Sequence, residues 1–498
     1  MIIRNLRLLA LIFLLVFGIF KVEAQRFNGF INSDFSGVIG VRSQPASVAN
    51  SPYKFDFSLV NGNFYLANDI AVIAKNDEGG SGFIRQEGFQ DRFAIANASL
   101  GGISALLSLS RNRGIAVQYN FRTLANGTDI TPNFIYQLNR FNAPQFLNQS
   151  YFNESMKLSS MAWQEVAFTY GGILKDDGYN RWKMGLTIKA ANPTTHLWLD
   201  LADADYSIDG NGLLSLDRFD FSAGYSSNLN DYEQFDGNEQ MRVPPKGTGL
   251  TLGGADIGVV YERVAYRPDP KTSAQTSLNK DITYEFRVSA SITDIGKFNF
   301  EHGSAAFMAS GLDPSANSLN FESVLNSINS FREFRDSLNT FLQLNDVRGE
   351  YSVSLPTALR LNYDYNFGNN LFLNVATVAD LSWALPADYR VSYANSVTIA
   401  PRYETGLYGL YLPVFYNFEG DTEVGLAARY GPLTLGTHTL GTLFASEKES
   451  LGFFFSINLN QLKANARKPY CFGSSKTGSA LVRTKRTPLY KRKKFIFF

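Results

Sequence analysis

The sequence predicts an all-β protein, a transmembrane antiparallel β-barrel of about 14 strands (range 12–16) with an N-terminal plug segment and one amphipathic helix in a long loop. Three observations predict it. Aromatic residues make up 14% of the 498, with 41 Phe and 25 Tyr, a bias toward side chains that suit a pleated surface. Apolar and polar residues alternate strictly over many segments near ten residues long, the length that crosses a hydrocarbon core when a strand tilts by about 45°. After the first 24 residues no run approaches the roughly 18 apolar residues of a transmembrane helix.

The elements follow in chain order. Residues 1–24 read as a secretory signal peptide: Arg4 and Arg7 precede an apolar stretch from Leu8 to Phe20, and small residues lead to a cut between Ala24 and Gln25. The residue after the cut is Gln25 with no cysteine nearby, and the single Cys471 allows no internal disulfide in an oxidising compartment. Residues 25–52 form a hatch or plug segment ahead of the first regular strand, and 53–460 form the barrel. Residues 461–498 carry 11 Lys or Arg and no acid, against 32 basic and 44 acidic residues in 25–460, and read as a basic disordered tail on the periplasmic side.

Within 53–460 the clearest strands are YKFDFSL, IAVQYNF, WKMGLTIK, YEFRVSASIT and LRLNYDYNF. Weaker candidates lie near 64–73, 93–109, 164–172, 219–226, 255–264, 370–383, 392–404, 407–418, 422–430 and 452–460. The connections at 123–160 and 192–218 read as long extracellular loops. Alternation alone does not say which face is wet, since a soluble sandwich buries the apolar side and a barrel turns it to lipid. Export, the number of long strands, and aromatics near strand ends (Trp182, Phe367, Trp383, Phe418) favour the barrel in the outer membrane of a Gram-negative bacterium, surrounded by outer-membrane lipid.

On that reading the polar faces line a lumen. Lys54, Asp56, Lys183, Lys189, Glu285, Arg287, Arg360 and Asp364 then point inward, because a Lys or Arg at mid-membrane depth on the lipid side costs about 2–4 kcal/mol. Their mixed signs predict salt-bridge ladders and a narrow interior. The final strand, GFFFSINLN, carries Gly452, Phe455, Ile457 and Leu459 in the spacing that barrel-assembly machinery recognises.

The segment GVRSQPASVANSPYKFDFSL resembles the start of long-chain fatty-acid transporter-type barrels, where Asn-Pro-Ala precedes strand one and an N-terminal hatch plugs the lumen. The matching plug motif is Gln44, Pro45, Ala46, with Gln in the place of Asn. GGADIGVVYE, SITDIGKFNF, YSVSLPTALRLNYDY and RYGPLTLGTHTLGTLF resemble an uncharacterised Bacteroidota family of outer-membrane barrels, some of whose members precede a peptidoglycan-binding domain. The first resemblance implies passive transport of small or hydrophobic molecules. A non-conducting structural or secretion-associated envelope protein, binding peptidoglycan or secretion components through the basic tail, is the alternative.

Residues 321–342 break the period of two, with apolar residues at helical three-and-four spacing, and predict a helix that is either a lid or a loop helix packed on its neighbours. Chemistry finds little footing. His196, His302 and His438 are the only histidines, none stands in a nucleophile or zinc motif, and the sequence points to no catalytic, cofactor or metal site. Nucleic acid is not an expected partner of an exported protein.

Overall fold

A computed structural model describes residues 27, 29–75, 81–85, 92–110, 112–137, 144–232, 246–264, 284–312, 330–418, 422–441, 447–448 and 450–462. The cleavage residues Ala24 and Gln25, the tail beyond 462 and the first part of the predicted helix, 321–329, lie outside them.

Fourteen antiparallel strands close into a barrel. They are β1 (Tyr53–Asn68), β2 (Arg92–Gly101 with Ser104–Ser108), β3 (Arg113–Ile130), β4 (Gln149–Asp176), β5 (Asn180–Ile208), β6 (Thr251–Val264) and β7 (Tyr284–Ile295). The second half comprises β8 (Ala358–Gly368), β9 (Leu371–Asp380), β10 (Ser396–Glu404), β11 (Tyr408–Tyr411 with Val414–Asn417), β12 (Thr422–Val424 with Leu426–Tyr430), β13 (Leu433–Thr437) and β14 (Ser450–Leu462). Closure comes from β1 on β14, Phe57 opposite Leu459 and Phe64 opposite Phe453, so the wall has no free edge.

The two faces of the wall settle which side is wet. On β5, Trp182, Met184, Leu186 and Ile188 are exposed while Lys183, Thr187 and Lys189 are buried. On β14, Phe453, Phe455, Ile457 and Leu459 share the outer face, and Phe454, Ser456 and Asn458 are buried inside. Exposed Leu, Ile, Val, Phe and Tyr continue around every part of the barrel, a belt far larger than a soluble monomer tolerates. Trp182 and Phe367 stand at the end that holds both chain termini of the barrel, Trp383 and Phe418 at the opposite end, all exposed as interfacial girdles require.

The two ends differ in build. At the termini end the turns after β2, β4, β8, β10 and β12 are only a few residues long. At the other end β4 and β5 run on to 28 and 29 residues, so 149–160 and 192–208 are paired strand rather than the loops expected there. Strand 214–225, expected in the barrel near 219–226, instead extends β5 beyond it, followed by 307–312 and 342–346. This extension is ordered by its own apolar core: Tyr151, Met156, Leu201, Tyr206, Phe221 and Phe307 are all buried in it. Alternation continues through these segments because the extension also has one covered face, which is why their pattern resembles barrel strand.

The predicted helix is shorter than its pattern. It spans Phe331–Leu338 among the described residues, capped by Ser330, whose Oγ accepts from the Glu333 amide at 3.0 Å. Leu342–Asp346 then pairs with Phe307–Leu312 as strand, because the sheet offers Leu342 and Leu344 partners that a lone helix end would lack. Phe331 meets Tyr225 edge-on at 4.9 Å and Phe334 meets Phe221 at 6.3 Å, so the helix packs on the extension.

Candidate functional site

The lumen is filled by residues 27–52, folded as three short 3-10 turns, Asp34–Ser36, Ile39–Arg42 and Pro45–Val48. Local chemistry makes each turn. Ser33 Oγ accepts from the Phe35 amide at 2.9 Å and Gln44 Oε1 from the Ala46 amide at 3.2 Å, capping two turns. Pro45 occupies the first position of the third, where its missing N–H costs nothing. The Gln-Pro-Ala motif is thus a cap, a turn starter and a small residue.

One side of this hatch is apolar and meets an apolar patch of wall. Phe27 lies edge-on to Phe454 at 5.2 Å and Phe30 to Tyr411 at 5.5 Å, with Val38, Ile39 and Val41 buried among Leu106, Ala116 and Ala427. Elsewhere the contact is polar. Asp34 pairs with Arg287 at 2.6 Å, Arg287 with Asp364 at 2.8 Å, and Arg402 with Asp364 at 2.6 Å and Glu404 at 2.9 Å; Ser33 donates to the same Glu404. The Val38 amide donates to Asp56 at 2.7 Å, Gln118 to the Val38 carbonyl at 2.6 Å, and Arg42 to Asn61 at 2.9 Å and to Asn120. Asp34 and Arg42 are half-buried and the wall residues they meet are buried, so a broken contact strands a desolvated group on the wall.

Nearer the loop end a second ion cluster spans the lumen. Arg122 bonds Asp294 at 2.6 Å and Glu165 at 3.1 Å, and Lys189 bridges Asp256 and Asp294 at 2.6 Å each. Trp163 Nε1 donates to Glu165 at 3.0 Å. A three-stranded sheet of 297–301, 350–354 and 389–390 packs Phe298, Phe300, Tyr351 and Val353 against Trp163 and Met161 at this level. His196 belongs to the same region, its Nδ1 3.1 Å from the Tyr351 hydroxyl and its Nε2 3.3 Å from Ser159. His302 stacks on Tyr351 at 4.2 Å, while buried His438 meets Asn63 and lies across the lumen face of β14 from Phe454 at 5.1 Å. No group of three or more His, Cys, Asp or Glu among the described residues is arranged to hold a metal ion.

The hatch touches the wall in two different ways. Gly114, Gly171, Gly185 and Gly258 are direct cross-strand neighbours on β3, β4, β5 and β6, and all face inward. A methyl group on Gly114 or Gly171 would run into Val48, on Gly185 into the Pro45 carbonyl and the Ala46 nitrogen, and on Gly258 into Gln44. The hatch backbone lies in a trough the wall leaves by omitting side chains. Gln44 closes the contact by donating to the Ala290 carbonyl at 3.1 Å and the Val259 carbonyl at 3.3 Å. The same row continues as Ser291, Arg360, Val378 and Ser396 on β7 to β10. Ser291 still reaches the Ser43 carbonyl at 2.6 Å, but past it the hatch stands off the wall.

A cavity of about 60 Å³ opens there, lined by Asn32, Gln44, Arg360, Asn362, Tyr393 and Thr398 among others. A second, of about 40 Å³, lies toward the termini end beside Asp34, Asn50, Ser51, Lys183 and Arg287. Both are lined by Ile31, Asn32, Ser43, Gln44, Ser289 and Asn362, so they adjoin along a single flank of the hatch, with room for roughly four and three water molecules.

Of the charges expected on the lumen wall, Asp56, Lys183, Lys189, Arg287 and Asp364 are buried inside and Arg360 is half-buried against the cavity. Lys54 and Glu285 are exposed and belong to neither cluster. Both sit beside register shifts, between Tyr53 and Phe55 on β1 and opposite the Arg263/Val264 shift on β7, and each bulge turns the neighbouring Tyr53 or Tyr284 inward instead. Arg122, Asp294, Asp256, Glu165, Arg402 and Glu404 were not singled out. Arg122 was accessible, as the next inward position after Gln118 and Asn120; Asp294 was not, because its left-handed backbone, φ 60°, breaks the alternation.

Residues 45–438 match the model of a family of unknown function, DUF5723, and the chain belongs to that family. A comparison with curated proteins finds no match. Among solved structures the chain is similar to the Ralstonia pickettii toluene transporter TbuX at 9% identity and a TM-score of 0.37, over 86% of this chain and 94% of that one. It is also similar to a Pseudomonas aeruginosa FadL homologue, at 8% identity and a TM-score of 0.38 over 84% and 93%, and to the P. putida toluene transporter TodX, at 11% and 0.34 over 85% and 92%.

Proposed function

We propose that this DUF5723 member is a hatch-gated transport barrel of the outer membrane that passes small polar solutes along one flank of its hatch. The observation that carries the reading is the asymmetry of the hatch contact. A segment meant only to fill the lumen would gain from sealing the whole circumference, yet the passage beside Arg360 is left open and lined with Ser, Asn, Gln and Thr. Arg360 and these amide and hydroxyl groups, set among Ile31, Leu361, Val378 and Phe415, favour small solutes that carry a polar or charged group over the wholly hydrophobic ones that the fatty-acid transporter resemblance implies. The short turns and both barrel termini define the periplasmic end, and the extension of β4 and β5 stands on the outer side.

In this state the passage admits water but little else, so transport requires the hatch to shift on its ionic anchors. Neutralising both partners of the Asp34–Arg287 pair, with Asp34→Asn and Arg287→Gln, loosens that anchor without leaving one buried charge alone. In planar bilayers the wild type is expected to show small conductance steps and the double variant steps several-fold larger. A double variant that retains heat-modifiable migration on gels, and so a folded barrel, yet conducts no more than the wild type overturns the reading in favour of a non-conducting envelope protein.

A further inference from the structure

Resting on that reading, we infer that Arg360 forms a binding subsite for small carboxylate anions within the flank passage. Most of the lumen's charges are matched. Lys183 pairs with Glu262, Lys189 with Asp256 and Asp294, Arg122 with Asp294 and Glu165, Arg287 with Asp34 and Asp364, and Arg402 with Asp364 and Glu404. Arg42, Arg429 and Arg360 have no carboxylate partner among the described residues; Arg42 donates to Asn61 and Asn120 and Arg429 to the carbonyls of Thr405 and Gly406, and of the three only Arg360 lines the larger cavity. Among the described residues its guanidinium has no carboxylate within 4.0 Å; its Nε donates to Thr293 Oγ1 at 3.1 Å and its plane lies 5.1 Å from the Tyr393 ring centre.

Those two contacts fix the side chain without consuming its charge. The Thr293 bond takes Nε and the Tyr393 ring takes a face, which leaves the two terminal nitrogens, the fork that engages a carboxylate through two parallel hydrogen bonds. The surroundings suit the same ligand. The larger cavity is lined by Arg360 and by no Asp or Glu, and Asn362, Ser396 and Thr398 offer amide and hydroxyl groups beside it. A half-buried cation with no counter-charge is a cost to the fold, which an entering anion removes. Placement adds a role: Arg360 stands in the row where the hatch leaves the wall, at the upstream part of the passage relative to Lys183 and Arg287. An anion passing from outside meets Arg360 before the compensated pairs near the termini end.

The test measures binding apart from conduction. Carbon-13 acetate is titrated against the full-length protein in detergent, and the broadening of its carboxylate resonance is followed for wild type, Arg360→Gln and Arg360→Lys, each verified as folded by heat modifiability. The expected result is saturable broadening in the wild type, at least tenfold weaker in Arg360→Gln, and an intermediate loss in Arg360→Lys, which keeps the charge without the fork. Equal broadening in Arg360→Gln, or none in the wild type, overturns the subsite. Bilayer conductance of the Asp34→Asn, Arg287→Gln variant reports separately on the passage, so a barrel that conducts but does not bind acetate rejects this inference alone.

Discussion

The two flanks of the hatch are built from one cross-strand row and behave as opposites. From β3 to β6 the row is glycine and the hatch backbone rests directly on the wall; from β8 to β10 it is Arg360, Val378 and Ser396, and at this level the hatch stands away, though nearer the termini end Asn32 bonds Asn374 at 3.1 Å and Ser33 bonds Glu404. A barrel can therefore seat a segment closely on one side and leave a cavity on the other by changing the size of the inward residue at one level. Glycine does this on the tight flank because it lets another backbone approach to contact distance.

The strongest way to break the comparison is to fill the trough. Gly185→Val places branched carbons where the Pro45 carbonyl and Ala46 nitrogen lie, against backbone that has no side-chain freedom to yield. The hatch is expected to be expelled: limited proteolysis in detergent should cut within 27–52 in the variant and spare it in the wild type, and an uncut variant hatch would show that the trough is not what seats it. A smaller effect should follow Ser291→Ala at the boundary. It removes the 2.6 Å bond to the Ser43 carbonyl, an acceptor buried with it, at a cost of about 1–3 kcal/mol to seating rather than outright loss. Partial proteolytic protection, between wild type and Gly185→Val, is the measurement that checks it. The smallest change belongs to the open flank, where Thr398→Val lines the cavity with a methyl in place of a hydroxyl and touches no described anchor of the hatch. Hatch protection should stay at the wild-type level, within about 0.5 kcal/mol, while conductance of the Asp34→Asn, Arg287→Gln background falls modestly. Protection that falls as far in Thr398→Val as in Ser291→Ala would erase the distinction between the flanks.

Much of this architecture was legible in the chain because strand geometry has a period of two and the membrane inverts its usual sense. Alternation in IAVQYNF, WKMGLTIK and LRLNYDYNF named the outer and inner faces residue by residue, and the exposed Trp182, Leu186, Val117 and Leu361 with the buried Gln118, Thr187 and Asp364 follow it. The rule failed where the backbone departs from the pleat. Lys54 and Glu285 were displaced by bulges, Asp294 was added to the lumen by one, and the overlong β4 and β5 read as strand joined to loop since Pro193 interrupts the pattern within a continuous ladder.

The candidate site was half visible. Gln44, Pro45 and Ala46 marked a plug by resemblance, and their local chemistry of cap and turn can be read from three letters. What they rest on cannot. Gly114, Gly171, Gly185 and Gly258 are scattered over 145 positions and carry no side chain whose pattern announces a face; only strand register sets them side by side. The sequence by itself determined which side of each strand meets lipid, because that depends on neighbouring residues along one strand. Tertiary structure alone decided which inward charges are paired, where the hatch binds and why Arg360 faces a cavity, because those depend on the register between strands and on a segment threaded through the closed ring, contacts between residues tens to hundreds of positions apart.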